Sequence, residues 1–274
     1  MLLVIDVGNT NTVIGVYEAA SLHGPDDSPK RAADCGLTHH FRVATAPERT
    51  ADEHALLLVQ LLGMKGLDHL TSITGVVISS SVPFATQAIR EMTDNWFAVA
   101  PLIIGPGIKS GMPILYDNAK EVGADRIADA VAGKDLYGTP LIVVDFGTAT
   151  TFDAVSEKGE YLGGAICPGV EISINALVAS AAALRKVELV APRGVIGRST
   201  VESMQSGALF GFAAQTDGMA RRIRDELGQG AKVIATGGLA ALIAPYCTEV
   251  DAVEPWLTLH GLRLLYEKNQ IARI

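Results

Sequence analysis

The sequence predicts an α/β protein of two similar lobes, each built on a mixed five-stranded sheet with flanking helices. Three observations carry this. A strand-and-turn signal, the apolar run Leu2 to Ile5 followed by Asp6-Val-Gly-Asn-Thr-Asn-Thr12, returns near the middle of the 274 residues as Leu141 to Val144 followed by Asp145-Phe-Gly-Thr-Ala-Thr-Thr151. In each half three short β-prone runs joined by turns read as an antiparallel meander. Alternating helical and strand-like segments then follow each meander, which adds parallel strands through crossover helices. The division falls between residues 118 and 119, giving lobes of 1–118 and 119–274.

In order, the first half has strands at Leu2 to Ile5, Val13 to Tyr17 and His40 to Ala44. Between the last two, Gly24-Pro-Asp-Asp-Ser-Pro29 is rich in turn formers and marks residues 19–38 as a surface loop or insertion. Thr50-Ala-Asp-Glu53 is a capping box opening a helix to Leu62, followed by a strand at Ile73 to Ser79, a helix from Pro83 to Trp96 and a strand at Leu102 to Ile104. Glycines and prolines make Gly105 to Val122 irregular before a helix from Ala124 to Leu136. The second half repeats the plan: strands at Leu141 to Val144, Thr150 to Val155 and Tyr161 to Ile166, then a helix from Pro168 to Leu184. A second capping box, Ser199-Thr-Val-Glu202, opens a long helix to Leu227. A strand at Lys232 to Ala235, a helix from Leu239 to Tyr246, a short strand at Thr248 to Val250 and a last helix from Leu257 to Asn269 complete the reading.

The composition is globular, and a formal net charge of −8 with no Lys/Arg cluster argues against a nucleic-acid partner. Cys35, Cys167 and Cys247 match no zinc or redox spacing and fit a reducing compartment. The opening apolar run is cut at Asp6, and the most apolar helical window, Ala55 to Met64, is well short of the roughly 20 residues that span a bilayer. We therefore expect a cytoplasmic protein with no membrane partner. His39 and His40 would face opposite ways in a strand, and no histidine pairs with another at metal-ligand spacing.

Aspartate and glycine make tight turns for purely structural reasons. Two copies at equivalent positions, each followed by hydroxyl residues, point further. Gly8 and Gly147 allow close backbone approach, Asn9, Thr10, Asn11 and Thr148 offer donors to phosphate oxygens, and the aspartates can hold a cation. No Walker motif is present. Gly123-Ala-Asp-Arg126 reads either as a helix start with a favourable acidic residue or as a base, Asp125, that accepts a hydroxyl proton beside an anion-binding Arg126; spacing alone leaves both open. Asp129 reads as a solvated helix residue. The Gly-rich turns Gly163-Gly-Ala-Ile-Cys-Pro-Gly169 and Thr236-Gly-Gly238 would lie beside a nucleotide in a two-lobed ATPase.

Six motifs in register, Asp6 to Thr12, Tyr116-Asp-Asn118, Gly123 to Arg126, Asp145 to Thr148, Gly163 to Gly169 and Thr200-Val-Glu-Ser-Met-Gln-Ser-Gly207, together resemble the type III pantothenate kinases over nearly the whole chain. The resemblance implies duplicated ribonuclease H-like lobes of the actin-like ATPase class. It implies ATP-dependent phosphorylation of pantothenate to 4′-phosphopantothenate, the first step of coenzyme A synthesis, by a homodimer. It implies ATP binding by Asp6, Val7, Gly8, Asn9, Thr10, Asn11, Thr12, Val13 and Thr148. Pantothenate would contact Tyr116, Gly123, Ala124, Asp125, Arg126 and Thr200, with Asp125 the proton acceptor. Asp145 would hold a monovalent cation, potassium or ammonium, and Asp6 the magnesium that accompanies ATP. The alternatives are a non-catalytic accessory member of the same family and another actin-like enzyme such as a sugar kinase or polyphosphate phosphatase. Two departures stand out: the longer 19–38 loop, and Ala119 where the family usually has proline, a change expected to loosen the loop holding Tyr116.

Overall fold

The computed structural model describes residues 1–18 and 31–271. Most of the expected insertion, residues 19–30, lies outside the described residues. Its last part is packed rather than a surface excursion: Ala32 and Cys35 are buried around a short 3-10 turn at Ala32–Asp34.

The first sheet contains β1 (Leu2–Val7), β2 (Asn11–Tyr17), β3 (Leu37–Ala44), β4 (Gly75–Ser80) and β5 (Leu102–Ile103) in the order β3-β2-β1-β4-β5. The β1/β2 and β2/β3 pairs are antiparallel, whereas β4 runs parallel to β1 and β5 parallel to β4. This is the meander with appended parallel strands that the sequence predicts. The expected capping box opens α1 (Ala51–Gly63): the Thr50 hydroxyl accepts from Glu53 N at 3.3 Å while the Glu53 carboxylate accepts from Thr50 N at 2.8 Å. After a four-residue α2 (His69–Ser72), α3 (Pro83–Met92) begins on its proline and ends in a π-helical turn, Thr93–Phe97. The next helix, α4 (Ala124–Tyr137), carries the Asp125 motif in its first turn.

Side chains alternate across a strand. Leu3, Ile5 and Val7 of β1 therefore enter a core with Leu58 and Leu62 of α1 and Ile89 and Met92 of α3. Leu2 and Val4 enter a second core on the opposite face, with Val77 and with Ala128 of α4, and Ala124 packs against that core. Asp6 follows in the Leu2, Val4 row.

The second sheet repeats the pattern with β6 (Leu141–Phe146), β7 (Ala149–Val155), β8 (Tyr161–Pro168), β9 (Lys232–Thr236) and β10 (Ala252–Val253) in the order β10-β9-β6-β7-β8. Its helices are α5 (Val170–Ser180), α6 (Thr200–Leu227) and α7 (Ala240–Ile243), the last continuing as a 3-10 turn at Ala244–Tyr246. Ile142, Val144 and Phe146 pack with Leu209 and Ala213 of α6 and Ile243 of α7. Asp145 belongs to the opposite face of β6 by the same alternation.

Three expectations change here. Pro168 closes β8 instead of opening a helix; β8 is an edge strand, where a missing N–H breaks no ladder. Thr248 to Val250 form no strand, because the Asp217 carboxylate takes the N–H groups of Thr248 (2.8 Å) and Glu249 (3.0 Å), and the strand forms at Ala252–Val253 instead. Finally α8 (Leu257–Ile271) returns to the first sheet, adding Leu259, Leu262 and Leu265 to the core of Leu2, Val4 and Ala128. The compact units are accordingly Met1–Leu136 with Trp256–Ile274, and Tyr137–Pro255, rather than a division at 118/119. The reason is apolar burial: α4 and α8 find their partner surface on the first sheet. Among the described residues no helix is long and apolar enough to cross a membrane.

Candidate active site

In the first unit β1 and β2 meet in a turn of Gly8, Asn9 and Thr10. Gly8 N donates to Asn11 O at 3.1 Å, and a Cβ on Gly8 would sit 3.1 Å from that oxygen, so a side chain here would press on the turn. Asn9, Thr10 and Asn11 are exposed at the tip, where their donors can meet a ligand. Val7 and Thr12 are buried beneath it. The Thr45 hydroxyl donates to Gly8 O at 2.7 Å, and Thr12 Oγ1 lies 2.9 Å from Thr45 Oγ1. Thr45 has one hydroxyl proton, so Thr12 is the donor of this pair. Thr12 therefore braces the turn from below rather than offering its hydroxyl to a ligand. Thr45 N also donates to Thr10 O at 3.0 Å, which ties the start of the α1 approach to the same turn. Thr45 was not singled out in the sequence; the only signal was a hydroxyl residue at the end of β3.

Asp6 pairs with Val13 of β2 on one side and with Ser79 of β4 on the other. It shares its face of the sheet with Leu2 and Val4, whose core also takes in Ala124 and Ala128 of α4, so Asp6 and Asp125 are brought to the same side of the first unit. Asp125 sits one residue into α4, half-buried, and its Oδ1 accepts from Arg126 N at 2.8 Å. Gly123 precedes the helix and its carbonyl accepts from Ile127 N at 3.2 Å. A Cβ on Gly123 would collide with Asp125 Oδ1, so the glycine makes room for the carboxylate. Arg126 follows, partly buried. Asp129, expected to be solvated, is 2% exposed, because the Ile127 to Ala130 stretch of α4 is turned inward. Tyr116 stands exposed in the irregular segment before the helix. Beyond it, Asn118 accepts from Lys120 N at 3.3 Å and donates to Glu121 Oε1 at 2.7 Å, a side-chain bracket around the stretch where Ala119 replaces proline.

In the second unit Asp145 is the penultimate residue of β6, paired with Thr151 of β7 and with Thr236 of β9. Three glycine segments converge on it. Gly147 N donates to Ala149 O at 3.0 Å to make the turn, and a Cβ on Gly147 would lie 3.3 Å from Asp145 Oδ2. A Cβ on Gly169 would fall 2.7 Å from the carbonyl carbon of Thr148, and one on Gly237 would strike Asp145 Oδ1. Gly169 and Gly237 thus bring the ends of the two Gly-rich segments to the Asp145 to Thr148 turn. Thr148 is exposed at the tip. On the same face of β7, the buried Asp153 accepts from Tyr161 Oη at 2.6 Å and from Thr151 Oγ1 at 3.2 Å. That carboxylate was missed in the sequence because an acidic residue inside a strand carries no motif.

Thr200 begins α6 beside a cleft of about 350 Å³ lined by Leu177, Met204 and Phe212 as well as Ser173 and Ser203. Ser199 caps the helix by accepting from Glu202 N at 3.2 Å, but the Glu202 carboxylate does not return the bond as a capping box would. It accepts instead from Arg198 N at 2.9 Å and from Arg193 Nε at 2.7 Å, bonds that hold its pKa below the usual range.

This geometry has close relatives. The profile of the family described as type III pantothenate kinase matches residues 2–222. The chain belongs to the type III pantothenate kinase family. The type III pantothenate kinase of Moorella thermoacetica is 52% identical over 269 residues, covering 98% of this chain and 100% of the relative. That of Myxococcus xanthus is 49% identical, covering 98% and 99%. Among solved structures, a protein described as a Baf family transcriptional activator from Campylobacter jejuni superposes with a TM-score of 0.57 at 17% identity, covering 98% of this chain and 99% of that one. A protein described as a 2-dehydro-3-deoxygalactonokinase from Sinorhizobium meliloti reaches 0.56 at 12% identity, covering 98% and 96%. These likenesses show the fold alone, two mixed five-stranded sheets with flanking helices.

Proposed function

We propose that this protein transfers the γ-phosphoryl group of ATP to the 4′-hydroxyl of pantothenate, the step that opens coenzyme A synthesis. The observation that carries the reading is the start of α4, where Gly123 makes room for the Asp125 carboxylate on the same side of the sheet as Asp6. Phosphoryl transfer needs alignment and charge neutralisation more than covalent help from the protein. Asp125 accepts the proton of the attacking hydroxyl. The exposed donors of Asn9, Thr10 and Asn11, with the turn amides, hold phosphate oxygens, while Val7, Thr12 and Val13 fix the hairpin that presents them. Thr148 contributes a hydroxyl to the nucleotide. Tyr116, Gly123, Ala124 and Arg126 contact the acceptor, with Arg126 suited to the pantothenate carboxylate.

The donor sets fit the cations this chemistry uses. Asp6 stands beside the Ser79 hydroxyl position, an all-oxygen pair suited to magnesium, and Asp145 lies against glycine-lined backbone that offers carbonyls to potassium or ammonium. Bound there, such cations neutralise phosphate charge, which matters in a chain of formal net charge −8. The protein is proposed to act in the cytoplasm as a homodimer. Ile172 and Leu177 of α5, Val195 and Ile196 of the following loop and Val201 of α6 are exposed apolar residues of the kind a second copy covers.

Pantothenate-dependent release of ADP in the presence of magnesium and potassium tests the reading. No release under those conditions, with ATP bound, would replace it by the accessory, non-catalytic alternative. Turnover with a sugar in place of pantothenate would move the chain to another actin-like activity.

A further inference from the structure

We infer that α8 positions the catalytic base: Gly261 and His260 of the last helix set where α4, and with it Asp125, sits on the first sheet. The inference rests on reading Asp125 as the proton acceptor. Gly261 marks a backbone-to-backbone crossing. A Cβ there would lie 2.5 Å from the carbonyl carbon of Ala128 and 2.9 Å from its Cα, and closer still to its carbonyl oxygen. Ala128 is fully buried and lies within one turn of Asp125. The three nearest atoms are all α4 main chain, so no flexible side chain can yield to relieve the contact.

The neighbouring residue supplies a second fixed point. His260 is fully buried, and its Nε2 is 2.8 Å from Asp135 Oδ2. Arg263 Nη2 faces His260 Nδ1 at 3.5 Å; a guanidinium only donates, which leaves Nε2–H as the donor to Asp135. Ala128 and Asp135 are two turns apart on one face of α4. A steric stop at one end and a hydrogen bond at the other fix both the depth and the rotation of the helix. Between them Leu259 and Leu262 pack in the same core as Ala128. Gly261 and His260 touch no reacting atom; they are positioning residues.

Steady-state kinetics on Gly261→Ala, Asp125→Asn and the double variant test this, with thermal unfolding of each measured alongside. Misplacing a catalytic group by about 1 Å costs on the order of 100-fold. Gly261→Ala should therefore lower kcat by roughly 10- to 100-fold with KM for ATP within about twofold. In the Asp125→Asn background the same change should cost nothing further, because the group it displaces is gone. Wild-type kcat in Gly261→Ala, or losses that multiply in the double variant, would overturn the inference. Turnover retained by Asp125→Asn alone would instead remove the base assignment, and this inference with it. Should Gly261→Ala not fold, His260 decides. His260→Gln, which keeps a donor for Asp135, should hold kcat within about threefold, whereas His260→Leu should lose about tenfold. Equal kcat in those two variants would overturn the inference.

Discussion

Gly237 closes on the carboxylate of Asp145 with φ at +94°, and a Cβ at that position would also lie 2.6 Å from Phe146 N. Alanine at 237 therefore meets strain and collision together. We expect Gly237→Ala to cost about 1–3 kcal/mol of stability and to displace the Asp145 carboxylate. Activity measured against potassium concentration should show a raised half-saturation point. An unchanged potassium response would detach Asp145 from the cation.

Asp125→Asn keeps the shape of the side chain and removes its ability to take a proton. Turnover should fall by about 100- to 10,000-fold while the dissociation constant for ATP, measured by calorimetry, stays within about twofold. Near-normal turnover would show that the hydroxyl loses its proton elsewhere.

The hydroxyl relay under the first turn is a stability element. Thr45→Val removes the donor to Gly8 O and the acceptor for Thr12 together, leaving partly buried groups unpaired. A loss of about 1–3 kcal/mol is expected in chemical denaturation, with weaker ATP binding because Asn9 and Thr10 lose their support. Unaltered stability would mean that water replaces the relay.

Stability should also fall in mild acid through His54. Burial, then the positive charge of Arg49, pushes its pKa down from 6.5 to about 4, against a smaller opposing pull from Glu53. Its buried Nε2 has no hydrogen-bond partner among the described residues. The unfolded chain takes up a proton below about pH 6.5 that the folded protein refuses until about pH 4. The stabilisation from neutral His54 is therefore complete above that window and is lost as pH falls through it. The melting temperature of the wild type should drop more steeply between pH 7 and pH 4.5 than that of His54→Leu. Parallel profiles would clear His54 of the effect.

What was legible in the sequence follows physical reach. Strands β1 and β6 announce themselves by short apolar runs ending in Asp-x-Gly, because the backbone requirement is local. The same holds for Thr50 and Glu53, whose reciprocal bonds span three residues. Where a distant partner decides, the local reading fails. Asp217 takes the amides of Thr248 and Glu249 and moves the last strand, and Arg193 and Arg198 draw Glu202 away from its cap. Asp129 looked solvated because nothing in its neighbours tells which face of α4 is covered. Glycine content marks the segments around Gly169 and Gly237 as unusual turns, while their convergence on the Asp145 turn and the need for each glycine are visible only from what a Cβ would meet.

The return of α8 to the first sheet has a consequence for how the molecule is made. Leu2 and Val4 leave the ribosome before the second unit is made, yet three leucines of their core, Leu259, Leu262 and Leu265, follow only after it. The segment Tyr137–Pro255 is contiguous and can close its own core while the nascent chain is still tethered. The first unit is thus finished only after the second has been made, and during elongation one face of its sheet waits uncovered for a helix not yet translated.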